Sequence, residues 1–257
     1  MREPAAALPG AFLAFDTSTD QMSVGVVRAT PEGRRTWLRE GPGGARSSAT
    51  LIPVILEVLA EAGLTLASLD AIAFGRGPGS FTGLRTACAV AQGLALGAGV
   101  CVLPVDTLQI LAEQGRFLHE QAGERAEGKL FTALLDARMD EMYVQDFRIT
   151  GGTPVALTPC RLVRPEAWTP APDSIVAGNV FEVYAARLAL PTIGCVQLQA
   201  LPGAAALLSL APGLFAAGQS VDALHAQPLY VRDKVAFTTA ERAEAKAAGL
   251  LAASTKG

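Results

Sequence analysis

Histidine, aromatic residues and net charge are all scarce in this chain. Two histidines and 6% aromatics leave little material for imidazole-based metal sites or for base-stacking surfaces. A formal charge of −3 argues against the whole chain being an electrostatic platform for nucleic acid, which needs a basic face to displace counterions. The four cysteines, Cys88, Cys101, Cys160 and Cys195, form no CxxC pair, the usual trace of a zinc site. They read as free thiols of a cytoplasmic protein. At the N-terminus, Glu3 and Pro4 follow Arg2 and the apolar run is short, so no signal peptide is expected. Thr86 to Val105 has twenty uncharged residues, but it is rich in Ala and Gly and is broken by Gly97, Gly99 and Pro104. It reads as a helix end followed by a buried strand rather than a membrane span.

What the chain has in quantity is apolar residues, 50% of 257, with mean hydropathy +0.33. That excludes disorder and supplies a sizeable core. Residues 11–16 form an apolar strand ending in Asp16. Residues 22–29 and 34–39 flank Thr30-Pro31-Glu32-Gly33 as a hairpin. A helix over 48–62, a strand over 70–75, a helix over 82–98 and a strand over 100–104 follow. The order implies an α/β fold with a mixed sheet and packed helices. A shift of 120 residues lays Asp16–Thr30 on Asp136–Thr150 with six identities in fifteen positions, the mark of a repeat. A weaker echo sets Ile72–Gly75 against Ile175–Gly178, each with a helix expected next. Two similar lobes are therefore expected, over 1–105 and 106–257.

Gly75-Arg76-Gly77-Pro78-Gly79-Ser80-Phe81-Thr82-Gly83-Leu84-Arg85 joins a strand to a helix, where free backbone N–H groups can hold an anion. It matches neither the P-loop nor the GxGxxG spacing. A rigid turn capped by Ser80 or Thr82 is the alternative. Asp16-Thr17-Ser18-Thr19-Asp20 offers hydroxyls and carboxylates suited to a hydrated cation or phosphate oxygens. Its counterpart, Asp136-Ala137-Arg138-Met139-Asp140, puts bulky side chains where a triphosphate would lie. Nucleophilic catalysis lacks support: His119 sits in the polar run Glu113–Lys129 as a solvated helix-end residue, and His225 has no evident acidic orienter. The two early helices are unusual in showing apolar residues nearly all round. A helix lying outside a sheet needs only one apolar stripe. Leu51, Val54, Ile55, Val58, Leu59, Ala87, Val90 and Leu94 are thus expected to meet a partner.

The strings AFDTSTDQMSVGV, AFGRGPGSFTGLRTA, AQGLALG, LLDARMDEMY and HAQPLYVR together closely resemble the bacterial TsaB (YeaZ) family. The likeness is dense over 12–145, thin over 150–220, and returns at 225–237. It implies a duplicated actin/Hsp70/sugar-kinase-like (ASKHA) fold and a role in making N6-threonylcarbamoyladenosine at position 37 of ANN-decoding tRNAs. In that pathway the paralogue TsaD is the transferase and carries a metal-binding His-x-x-x-His. The matching positions here are Thr107 and Leu111, so neither metal nor catalysis is expected of this chain. The resemblance implies a non-catalytic partner that pairs with TsaD through the early helices, with the ATPase TsaE joining and tRNA engaged through the complex. A homodimer without TsaD, a weak ATP or ADP site at the partner interface, and a vestigial nucleotide turn at Asp16, Thr17 and Ser18 are the remaining expectations. A small-molecule kinase and a glycoprotease-like metallopeptidase are disfavoured for want of intact phosphate turns and of ligand clusters. The tail from Arg232 to Lys256 mixes basic residues with Glu241 and Glu244, which leaves direct RNA contact there open.

Overall fold

Strand β1 (Ala11–Asp16) is buried along its whole length. It reads as a continuous apolar run, not an alternating one, because both faces of its sheet are covered. The structure, a computed structural model, describes residues 10–31, 33–188 and 195–232. β1 pairs antiparallel with β2 (Gln21–Thr30), and β2 pairs antiparallel with the outer strand β3 (Gly33–Pro42). Helix α1 (Ser47–Ala62) leads to β4 (Ala71–Gly77), which runs parallel to β1. Helix α2 (Phe81–Ala98) then returns the chain to β5 (Cys101–Asp106), parallel to β4. The order of this first sheet is β3-β2-β1-β4-β5.

After α3 (Thr107–Gln121) the plan repeats. β6 (Leu130–Asp136), β7 (Met142–Thr150) and β8 (Thr153–Ala156) form an antiparallel run, and β9 (Arg161–Val163) also pairs with β7. β10 (Ile175–Gly178) and β11 (Val196–Gln199) add to β6 in parallel. Read from the hairpin side, β8-β7-β6-β10-β11 matches the first sheet strand for strand and in every pairing direction. That identity of topology is the structural form of the 120-residue repeat. The echo of Ile72–Gly75 in Ile175–Gly178 is on the right strand but two residues out of register: Ala73 pairs with Ala14, whereas Gly178 pairs with Leu134. An even offset keeps each side chain on its proper face. The helix expected directly after residue 178 does not form. Turns occupy that stretch, tied by the Tyr184 and Leu188 amides, which donate to Val180 O and Tyr184 O.

The first sheet is the centre of a sandwich. Leu13, Phe15, Val24, Val26, Ile72 and Phe74 face α1 and α2, while Phe12, Ala14, Val27, Ala71 and Ala73 face α4 (Ala204–Ala216). α3 covers the second sheet through Leu108, Leu111 and Ala112 and lies against α4. Strands of the two sheets divide cleanly along the chain. Helix α4 crosses back to the first, so the described part of the chain after residue 106 does not pack wholly on the second sheet. His119 lies in the last turn of α3 but is not solvated, although residues 120–125 beyond it are exposed. Glu113 is fully buried, pairs with Arg116 at 2.7 Å and accepts a hydrogen bond from the Ser209 hydroxyl. His119 is buried edge-on against Phe131, because one face of α3 packs on the second sheet. Among the described residues no helix is long and apolar enough to cross a membrane.

Candidate functional site

The turn after β1 is fastened to the start of α2. Asp16 is fully buried, and its Oδ1 accepts from the Ser18 amide at 2.9 Å and the Ser18 hydroxyl at 2.6 Å. Its Oδ2 has no partner among the described residues. Desolvation pushes the carboxyl up from 3.8 to about 6, against the pull of the two Ser18 bonds. The Thr17 hydroxyl donates to Gly83 O at 2.7 Å, and Ser18 O accepts from the Ser80 amide at 2.7 Å. The glycines follow from this contact. A Cβ at Gly75 would strike the Asp16 carboxylate, one at Gly79 the Ser18 backbone, and one at Gly83 the carbonyl of Thr17. Of the two readings of the 75–85 string, the rigid capped turn therefore accounts for it: Ser80 is the N-cap, and its amide is already engaged by Ser18.

The duplicate turn lies across from the first. Arg138, Met139 and Asp140 all have left-handed backbones, with φ of 59°, 56° and 62°. Each costs on the order of 1 kcal/mol or more for a residue with a side chain. Polar contacts hold them there. Asp136 Oδ1 accepts from the Arg138 amide and from the Tyr184 hydroxyl. Arg187 pairs with Asp140, and Arg138 reaches across to Asp20, each at 2.6 Å. Arg232 donates to the Ala137 and Arg138 carbonyls and pairs with Glu141 at 2.6 Å. Arg232 belongs to a strap, described over 226–232, that runs along α2, where Gln92 donates to Ala226 O at 2.8 Å and Arg85 donates to the Tyr230 hydroxyl at 3.0 Å. The strap and the two turns enclose a cleft of about 400 Å³ lined by Ser18, Asp20, Ser80, Asp136, Arg138 and Tyr230, among others. Of the three residues expected to form a nucleotide turn, only Ser18 lines it. Asp16 and Thr17 are sealed beneath: Asp16 Oδ1 is held by Ser18, its Oδ2 faces Gly75, and the Thr17 hydroxyl is held by Gly83 of α2. Arg138 and Met139 both line the cleft, on the side where steric obstruction was expected.

The early helices need a different correction. Leu51, Ile55, Val58, Leu59 and Ala87 are all at most 3% exposed and belong to the core against the first sheet. They are not available to a partner. Val54, Val90 and Leu94 are half-buried at its margin. The large apolar residues that do reach the surface are Ile52 (43% exposed) and Leu56 (52%) on α1 and Phe81 (38%) and Leu96 (66%) on α2, with exposed Gly93 and Gly97 near Leu96. Ile52, Leu56 and Leu96 sit on the faces of α1 and α2 turned away from the sheet, and on α2 the exposed Thr82 and Arg85 share that side with Leu96. Periodicity showed that the helices were apolar all round, but only the direction of the sheet separates the two faces. Leu51, Ile55, Val58 and Ala62 mark the inner stripe on α1, so Ile52 and Leu56 follow as the outer one.

At the positions matching the paralogue's histidines, both side chains have structural work. Thr107 Oγ1 accepts from the Gly77 amide at 3.1 Å, and Leu111 is fully buried in the core under the second sheet. Among the described residues no three His, Cys, Asp or Glu side chains converge as a metal site would require. His225 does have an acidic neighbour, Asp222 at 3.8 Å, but both are largely exposed. The four cysteines are free, with Cys160 pushed up to about 12 by burial. The tail residues Lys234 to Lys256, including Glu241 and Glu244, lie outside the described residues.

The family model "TsaD: tRNA N6-adenosine threonylcarbamoyltransferase" matches residues 44–195. The tRNA threonylcarbamoyladenosine biosynthesis protein TsaB of Haemophilus influenzae is 32% identical over 234 residues, covering 88% of this chain and 94% of the relative. TsaB of Escherichia coli is also 32% identical, covering 73% and 81%. Among solved structures, YeaZ from Pseudomonas aeruginosa superposes with a TM-score of 0.74 at 35% identity, over 86% of this chain and all of that one. By identity, coverage and superposition, the chain belongs to the TsaB (YeaZ) family of tRNA threonylcarbamoyladenosine biosynthesis proteins.

Proposed function

We propose that this chain is a non-catalytic subunit of the tRNA threonylcarbamoyladenosine machinery that pairs with the transferase TsaD and stabilises it. The observation that carries the reading is the outer face of α1 and α2, where Ile52, Leu56 and Leu96 stand in solvent beside half-buried Val54, Val90 and Leu94. Large exposed apolar side chains gathered on two adjacent helices favour burial against another subunit. A match to the TsaD family over residues 44–195 supports a partner with the same helices, since two alike apolar faces pack as a pseudo-symmetric pair. The repeated sheet order supports the ASKHA architecture for each lobe.

Absence of catalysis is supported by Thr107 and Leu111, which are committed to a backbone hydrogen bond and to the core where ligands would be needed. A nucleotide at Asp16 loses support from that residue's burial. Engagement of TsaE and of tRNA belongs to the assembled complex in this reading, and a homodimer is the pairing adopted when TsaD is absent.

Reconstitution tests it. This chain, TsaD and TsaE with ATP, threonylcarbamoyl-adenylate and unmodified tRNA should modify tRNA, while the chain alone should not. Co-elution with TsaD is expected on size exclusion. Modification by the chain alone, or failure to co-elute, overturns the reading.

A further inference from the structure

The strap fastens the first lobe to one turn of the second. On the first lobe, Ala226 O accepts from Gln92 and the Leu229 amide donates to Arg76 O at 2.7 Å. Gly77 leaves room for Leu229 O, which a Cβ there would meet at 2.5 Å. Two residues later the chain engages the other lobe: Val231 packs with the core under the second sheet, and Arg232 holds the turn after β6. That turn is the strained one. β1 and β2 pair from Asp16 with Ser23, and β6 and β7 pair from Asp136 with Met142, so the second turn closes with one residue fewer than its counterpart. None of residues 17–20 is left-handed, whereas Arg138, Met139 and Asp140 all are. Three in succession make a left-handed helical turn, which L side chains oppose.

The contacts on this turn differ in what they can hold. The Arg138–Asp20 bridge stands in solvent, with side chains 68% and 82% exposed, and such pairs contribute little. Arg232 is only 14% exposed. Its Nη2 is shared by the Ala137 carbonyl, the Arg138 carbonyl and the Glu141 carboxylate, and charge-assisted bonds shielded from water are the strong ones. The Arg138 carbonyl also accepts from the Glu141 amide, so one guanidinium braces both ends of the turn. Asp136, which accepts from the Arg138 amide, and Arg187, which pairs with Asp140, belong to the second lobe and do not tie the turn to the first. Arg138 and Met139 line the cleft. We propose that Arg232 is the pin of an interlobe clasp. Set by a strap on the first lobe, it keeps the second-lobe turn left-handed, and the turn relaxes and opens that wall of the cleft when the pin is withdrawn. Strain in the turn drives opening, and the pin opposes it.

Hydrogen exchange of the full chain at the Ala137, Arg138 and Glu141 amides tests this, alongside trypsin, which cuts after Arg138 only when the turn is extended. Arg232→Gln should speed both exchange and cutting there about tenfold or more, with exchange along β1 unchanged. Asp20→Asn should change either by less than about twofold. Met139→Gly, which eases a left-handed backbone, should restore at least about threefold of the protection when added to Arg232→Gln. A side chain that served packing alone would not be rescued in this way. Unchanged exchange and cutting in Arg232→Gln overturn the proposal, and so does a Met139→Gly that restores nothing. If Arg232→Gln loosens β1 as well, Glu141→Gln, which removes only the ion pair, takes its place with an expected increase of about threefold, and no increase there overturns the proposal.

Discussion

Two positions on α1 only two residues apart should respond in opposite ways to the same charge. Val58 is fully buried against the first sheet, and Leu56 is 52% exposed. Val58→Glu places a carboxylate among Leu13, Phe15 and Ile72 with no cation to meet it, a penalty of several kcal/mol. Total stability is only about 5–15 kcal/mol, so this variant should be largely unfolded or insoluble. Leu56→Glu leaves the lobe almost untouched, within about 0.5 kcal/mol, which is at most a degree or two in melting temperature. In the complex the balance reverses. About half of the leucine surface remains to be covered, worth roughly 1 kcal/mol, and a carboxylate forced into an apolar contact adds several more. A loss of about 3 kcal/mol or greater weakens pairing more than about 100-fold. Thermal melts of the isolated chain, with titration calorimetry against TsaD, read both effects. Leu56→Glu that binds TsaD like the unmutated chain, or Val58→Glu that melts like it, would refute the division of α1 into inner and outer faces.

Two further outcomes follow from the turn at the lobe junction. The Asp16 carboxyl titrates near 6 when folded and 3.8 in its ordinary state. Folding therefore disfavours its ionised form, by about 3 kcal/mol above pH 6, and the penalty fades as pH falls through 6 toward 4. Asp16→Asn keeps an acceptor for Ser18, so it should melt higher than the unmutated chain at pH 8 and show a flatter pH dependence between 5 and 8; a lower melting point with the same dependence contradicts this. Gly83→Ala, which drives a methyl group into the Thr17 carbonyl, should destabilise by about 1–3 kcal/mol. Gly93→Ala, with nothing within 4 Å of the new carbon, should stabilise by up to about 1 kcal/mol. Differential scanning calorimetry separates the pair, and equal melting points would show that turn and helix are not in hard contact.

The strands and helices of the first 106 residues were legible because each carries its own period and its own punctuation. Gly63 and Gly99 end α1 and α2 in left-handed conformations, as helix-stop residues should, and the hairpin turn lies between the residues that flank it. The repeat was legible because six side chains of the strand-turn-strand unit persist. What escaped was whatever depends on a neighbour distant in sequence. Asp16, Thr17 and Ser18 have the chemistry of a phosphate turn, and nothing local shows that α2 buries two of them. His119 lies in a charged stretch, yet its inward face meets Phe131. The apolar circumference of α1 gave the surface, while the choice among Leu51, Ile52, Ile55 and Leu56 awaited the position of the sheet.

Helix α4 imposes an order on synthesis. Phe12, Ala14, Val27, Ala71 and Ala73 are all made within the first 73 residues, but the helix that shields them begins at Ala204. Roughly 100 residues separate the end of β5 from that point, so at about 5–20 residues per second a nascent first sheet carries a sticky underside for about 5–20 s. A fragment ending before Ala204 would retain that underside permanently, which makes it a poor choice for expression and a natural client for holding chaperones.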